Sequence, residues 1–253
     1  MDEGRRIYLE ILDSHIYCYG LSQIEFLAKK GIMSAGQQVV ASASTQNGNF
    51  RLESRDMGGQ AHHVLFINDA MIATTYPDLE LSLADLALAG ISSDQGYAEV
   101  LIGGLGLGIT LRQVLKHPAV RSVCVVEIES RIVDWNRTHL DNADLLDDER
   151  VELVVGDFCT YVEGVPRNYN GIAMHIDIGP DQMARSENRR AYSLSMLRVL
   201  HMRLRAGGAL AICAGQVSAL YEKALRGIFD CVEVFAERDH LDSRSCSIYQ
   251  VIA

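Results

Sequence analysis

The 253 residues are 48% hydrophobic and 22% charged with only 4 prolines, which describes a globular chain able to bury its own core and excludes a disordered or fibrous one. The 33 acidic and 23 basic side chains give a formal charge of −10, which argues against nucleic acid and anionic membrane surfaces as partners. The apolar stretch 98–111 is too short to cross a bilayer and contains four glycines, so no membrane segment is expected there.

In chain order, helical spacing of Ile7, Ile11, Ile16, Leu21, Ile24 and Leu27 predicts two helices over 5–30, divided at Gly20. Residues 1–15 show no signal-peptide core. From residue 37 the texture becomes short and alternating. Strands are expected at 39–44 and 50–54 around Asn47-Gly48, and at 63–67 and 71–75 around Asn68-Asp69. A helix over 79–89 follows Pro77, with Asp78 as a plausible cap. Apolar strands then alternate with amphipathic helices. The strands fall at 99–103, 122–127, 151–155, 171–177, 209–213, 232–236 and 245–252, and the helices at 108–116, 130–139, 186–205 and 217–226. The acidic run 141–149 reads as a solvated loop. This alternation implies an α/β fold, a seven-stranded Rossmann-like and mostly parallel sheet covered on both faces, with ligands at the carboxyl ends of the strands. The last strand, lacking a helix-length spacer, is expected to insert antiparallel. Residues 1–95 form the expected helical and hairpin region and 96–253 the sheet domain. Six cysteines without a CxxC pair fit a reduced, cytoplasmic setting without disulfides, and no metal-ligand spacing is present.

Three strand tips carry chemistry. The run 100–108 (VLIGGLGLG) ends a strand in a glycine turn and opens a helix, so Gly103, Gly104, Leu105, Gly106 and Gly108 offer close backbone approach and free amide donors. Their spacing satisfies neither the dinucleotide GxGxxG pattern nor a phosphate loop with GK[ST]. The next strand ends at Glu127-Ile128, where a carboxylate can accept both hydroxyls of a ribose. The third ends in Gly156-Asp157-Phe158, an acid for an adenine amino group beside an apolar ring; Asp157 equally suits a helix cap. Together they describe a nucleoside site.

On these residues the chain resembles class I S-adenosylmethionine-dependent transferases and, more narrowly, the spermidine synthase family. The matching segments are 65–75, 100–108, 111–117, 125–127, 156–157 and 204–208, and IGGLGLG with IDIGPD resembles a methyltransferase-like bacterial subgroup. The resemblance implies S-adenosylmethionine or a derivative as donor, no metal, and a small-molecule acceptor. It also makes Asp177, at the fourth strand tip, the candidate for orienting or deprotonating the nucleophile. His175, two residues earlier on the same strand face, is its candidate helper. Tyr76, Asp78, Asp181 and Tyr192 are candidate walls of the acceptor pocket.

The departures from the family pattern bear on the reaction. Gly106 stands where spermidine synthases carry the aspartate of GGGDGG. Asp177 is retained, but the second acid of DxxDP is lost at or beside Gly179. A glutamine and a tyrosine are replaced by Ile72 and Leu81. Fewer carboxylates would hold a polycation poorly. Methyl transfer is therefore the leading expectation, ahead of aminopropyl or aminocarboxypropyl transfer, donor cyclisation, or a noncatalytic nucleoside-binding module. The apolar residues of the two N-terminal helices lead to the expectation of a homodimer.

Overall fold

The computed structural model describes residues 37–56, 59–75, 78–92, 96–238 and 245–253. The two N-terminal helices, the homodimer expectation resting on them, Tyr76 and residues 93–95 beside the expected domain boundary lie outside the described residues. Strands β1 (Gln37–Thr45), β2 (Gly48–Asp56), β3 (Ala61–Ile67) and β4 (Ala70–Thr74) form an antiparallel sheet in that order. The β3–β4 turn takes Asn68 and Asp69 through positive φ, 47° and 66°, the geometry a tight hairpin requires and short polar side chains tolerate. Helix α1 (Asp78–Ala87) then leads to the main sheet.

The main sheet contains β5 (Ala98–Gly103), β6 (Val120–Glu127), β7 (Val151–Val155), β8 (Tyr169–Met174), β9 (Leu204–Ala214), β10 (Cys231–Arg238) and β11 (Ser245–Ile252). Its order is β10-β11-β9-β8-β5-β6-β7. Strands β9, β8, β5, β6 and β7 are parallel, and β11 is antiparallel between β9 and β10, as its missing spacer implied. The connections carry α2 (Ile109–Val114), α3 (Ser130–Thr138), α4 (Ala143–Leu146), α5 (Phe158–Gly164), a 3₁₀ turn (Ser186–Tyr192), α6 (Leu194–Arg203) and α7 (Ala219–Arg226).

Period-two alternation divides the core. Val100, Ile102, Val123, Val125 and Ala173 face the side covered by α1, α2 and α3, and Trp135 of α3 packs there. Leu101, Cys124, Val126, Ile172 and Met174 face α5, α6 and α7. Phe50, Leu52 and Leu65 of the hairpin sheet belong to the first cluster, so the small sheet shares its core with the large one. Full burial of each such large side chain contributes about 1.5–3 kcal/mol.

Three expectations are corrected and one helix is added. Strand β8 ends at Met174, so His175 and Asp177 follow it and share no strand face; Asp177 has φ 63°. The single helix expected over 186–205 is divided at Ser193, whose extended backbone (ψ 153°) ends the 3₁₀ turn and whose hydroxyl accepts the Met196 amide. The acidic run contains α4, anchored by buried Leu146 and Asn142. Helix α5 stands outside the expected helix ranges, and Asp157, read as suited to a helix cap, caps it by accepting the Thr160 amide at 2.8 Å.

Helix α1 lies directly on β8. A Cβ added at Gly171 would stand 2.4 Å from the Ala87 carbonyl oxygen, so glycine sets the closeness of this packing. Gly171→Ala is expected to destabilise the fold by about 1–3 kcal/mol through overpacking, read as a lowered urea midpoint. An unchanged midpoint would show that α1 can move away freely.

Candidate active site at the strand tips

The tips of β5, β6, β7 and β8 are tied together before any ligand is considered. The Gly104 amide donates to the Val126 carbonyl, the His175 amide to Gly103, and the Gly156 amide to Glu127, each at 2.9 Å. Gly104, Gly106 and Gly108 have φ of 91°, 53° and 80°. That left-handed backbone is open to glycine and strained for other residues. A Cβ on Gly104 would also strike the His175 carbonyl oxygen at 2.3 Å.

Glu127 holds this turn. It is 5% exposed; Oε2 accepts the Leu105 amide at 2.8 Å and Oε1 accepts the Glu129 amide at 2.9 Å. Burial pushes its pKa up, against the amides of Glu129, Leu105 and Gly106, which favour the charged form. On the outer side, buried Asn136 donates to the Gly106 carbonyl (2.9 Å) and Asn142 to Leu107 (3.0 Å) and to Asn136 Oδ1 (2.7 Å). With their carbonyls held from behind, Gly106 and Leu107 form part of the cleft wall.

The cleft encloses about 950 Å³, including open solvent at its mouth. Gly104, Leu105, Gly106, Glu127, Ile128, Asp157, Phe158, His175 and Asp177 all line it, so most of the candidate donor residues meet in one place. Gly103 and Gly108 support it from behind: Gly103 lies under the Phe158 ring, and Gly108 caps α2 against Asn142. Asp157 caps α5 and also lines the cleft. Phe50, Leu65, Ile67, Ile72 and Ala73 of the hairpin sheet form the opposite wall.

Hydrogen bonds close the hairpin turns onto the strand tips. Glu129 Oε2 accepts Thr45 Oγ1 (2.7 Å) and Asn47 Nδ2 (3.0 Å), while Asn68 Nδ2 donates to the Ala184 carbonyl (3.0 Å). The Ala184–Arg185 segment is in turn held by Asp177. Asp177 Oδ1 accepts the amides of Ile178 and Ala184 at 2.8 and 2.6 Å, and Oδ2 accepts the Arg185 amide and Asn188 Nδ2 at 2.9 and 2.7 Å. Four donors fill the four lone-pair positions of a carboxylate, which suits a loop organiser more than a proton acceptor. His175 is pushed down to about 4 by burial, against the opposing pull of Asp177. At neutral pH it is an uncharged imidazole and a weak base.

The acceptor walls differ from expectation. Asp78 and Asp181 are exposed, and neither borders the cleft. Tyr192 is buried, donates its hydroxyl to the Ile176 carbonyl, and packs edge-on against Tyr221 with centroids 5.7 Å apart. The cleft instead receives Glu80, Arg185, Glu187 and Asn188, none of which the sequence reading singled out. Glu80 lies in the first turn of α1, where acids ordinarily complement the helix dipole, so its spacing alone carried no sign of a site.

Because the folded state keeps His175 neutral while an unfolded histidine gains a proton near pH 6.5, this group's contribution to stability is full above that pH. It is lost as the pH falls toward 4. Wild type is expected to lose about 2 kcal/mol more than His175→Asn between pH 7 and 5, by urea unfolding. Equal losses would place the imidazole in water.

The spermine/spermidine synthase domain matches residues 83–227. A polyamine aminopropyltransferase 2 of Pseudomonas aeruginosa is 27% identical over 193 residues, covering 73% of this chain and 49% of the relative. One from Hyperthermus butylicus is 31% identical over 145 residues, covering 54% and 47%. The chain thus spans about half the length of these curated relatives. A crystal structure of spermidine synthase in complex with the transition-state analogue AdoDATO superposes with a TM-score of 0.72 at 18% identity, over 85% of this chain and 73% of that one, and shows the shared fold. With the match spanning more than half of its length, the chain belongs to the spermine/spermidine synthase domain family.

Proposed function

We propose that the protein is a transferase that moves an aminopropyl group from a nucleoside sulfonium, decarboxylated S-adenosylmethionine, to a small amine. The observation that carries this reading is the charge of the cleft. Among the described residues lining it are five carboxylates, Glu80, Glu127, Asp157, Asp177 and Glu187, against one guanidinium, Arg185. A cleft of that sign favours a sulfonium and an amine, both cations. The names of the relatives point the same way.

The ranking of methyl transfer first gives way on these grounds. It rested on two acids missing from family positions, whereas Glu80 and Glu187 bring acids to the cleft from other elements. A sulfonium donor supplies its own leaving group, a neutral thioether, so the chain's work is to bind and align the partners. The acceptor ammonium loses one proton to solvent or to a cleft carboxylate before its nitrogen attacks the carbon beside the sulfonium. In this reading Glu127, through the acceptor positions its backbone partners leave open, holds the ribose side, and Asp157 and Phe158 the adenine side. Asp177 fixes the loop that borders the reacting end. Methyl transfer remains the second reading, favoured by Gly106, which leaves the turn without an acid that would repel the carboxylate of intact S-adenosylmethionine.

Incubation with either donor and a series of diamines, with products read by mass spectrometry, tests the proposal. Methylthioadenosine and an acceptor heavier by one aminopropyl group are expected from decarboxylated S-adenosylmethionine. S-adenosylhomocysteine from the intact donor would replace this reading with methyl transfer. Methylthioadenosine without a modified acceptor would indicate donor cyclisation. Failure to bind either donor or methylthioadenosine in calorimetry would leave a noncatalytic module.

A further inference from the structure

Arg185 is the exception in an acidic cleft. Among the described residues lining that cavity it is the one guanidinium, set beside five carboxylates. Its half-buried side chain nevertheless forms an ion pair with none of them, and it makes one hydrogen bond, from Nη2 to Asn47 Oδ1 at 3.4 Å. That distance is long for a hydrogen bond and leaves most of the N–H donors of a guanidinium uncommitted. Arg190, further along the same segment, shows the contrast, since it is engaged by both Asp157 and Glu163.

The backbone fixes where the Arg185 head can go. Asp177 accepts the amides of Ala184 and Arg185, and the Ala184 carbonyl accepts Asn68 Nδ2 from the hairpin sheet. Asn47, the partner of the side chain, is itself bound to the Ile128 carbonyl and to Glu129. The guanidinium therefore lies between the β1–β2 turn and the loop after β8, at the border of the cleft. A cation there repels a ligand that carries positive charge alone, against the attraction of the five carboxylates. It favours a ligand that carries both signs, with an amine toward the acids and a carboxylate across the planar fork of the arginine.

Resting on the transferase reading above, we infer that Arg185 binds a carboxylate of the substrate. Decarboxylated S-adenosylmethionine has none, so under aminopropyl transfer the carboxylate belongs to the acceptor, which is then an amino acid in place of a plain diamine. Under the second reading it belongs to the tail of the intact donor. In both, Arg185 determines specificity by the anionic end of the ligand, and the cleft carboxylates act on the cationic end.

The test compares ligands that differ by a carboxylate, in calorimetric titrations of wild type and Arg185→Gln in the full chain. The donor pair is S-adenosylmethionine and its decarboxylated form. The acceptor set, added to the methylthioadenosine complex, is 1,4-diaminobutane, ornithine, which adds a carboxylate to it, and 4-aminobutanoate, in which a carboxylate replaces one amine. Wild type is expected to prefer a carboxylated ligand within one set by about 10- to 100-fold, as a charge-assisted contact dictates. Arg185→Gln is expected to abolish that preference while the carboxylate-free ligands bind as tightly or more tightly, because a repelling charge is gone. A preference confined to the acceptor set supports the inference together with aminopropyl transfer. A preference in the donor pair keeps Arg185 as the carboxylate site and moves the reaction to the intact donor, overturning aminopropyl transfer. No preference in either set, or one that Arg185→Gln leaves intact, overturns the inference alone. Wild type that binds neither donor nor methylthioadenosine overturns the transferase reading and this inference with it. Should Arg185→Gln fail to fold, Arg185→Lys keeps the charge and loses the fork, and a preference undiminished in it would overturn the assignment.

Discussion

The site depends on one buried carboxylate holding a glycine turn. Glu127 ends β6 and reaches sideways to the Leu105 amide, while its own carbonyl takes the Gly156 amide from the neighbouring strand end. Three chain segments far apart in sequence are thereby set in register at one sheet edge. A buried charge is tolerated where hydrogen-bond donors compensate its desolvation, and here the donors belong to the elements that build the site. The same bonds that make Glu127 affordable in the core shape the turn, so stability and preorganisation come from one interaction.

A second layer of polar contacts places the roof. The hairpin sheet could share its apolar core with the large sheet in several orientations, since hydrophobic contact has no preferred direction. Glu129, Asn47, Asn68 and Asp177 remove that freedom, because their hydrogen bonds join the hairpin turns to the ends of β6 and to the loop after β8. Asp177 adopts a left-handed backbone to do so, and four hydrogen bonds to its carboxylate offset the conformational cost. An aspartate retained at this point is therefore explained by loop geometry without requiring a proton transfer.

What was legible in the sequence follows from the range of the forces involved. Most strand positions and the glycine turn rest on alternation and on residues adjacent in the chain, and the fold contains them, with Glu127 and Phe158 both in the cleft wall. The side chains of Asn136 and Asn142 act on carbonyls about thirty residues earlier, and nothing in their local pattern distinguishes them from ordinary helix and loop residues. Tyr192 and Asp181 are candidates because they lie on the segment that follows the fourth strand. Yet the 3₁₀ turn rotates Tyr192 into the core, and Asp181 stays in solvent. Glu80 is the converse case: a charge that reads as a helix-dipole complement becomes a cleft wall only after α1 is seated on Gly171.

The charge of the chain gains a different meaning from this arrangement. A net −10 spread over a surface is screened within about 8–10 Å at physiological salt and says little about a ligand. Missing acids at family positions suggested that the cleft had lost its affinity for cations. The cleft nevertheless gathers carboxylates from α1, β6, the β7–α5 turn, the loop after β8 and the 3₁₀ turn, five separate places in the chain. Recognition of a cation requires negative potential at a point in space, and any element that reaches that point can supply it. A helix end can thus deliver an acid to a cavity whose neighbouring strand tip lacks one.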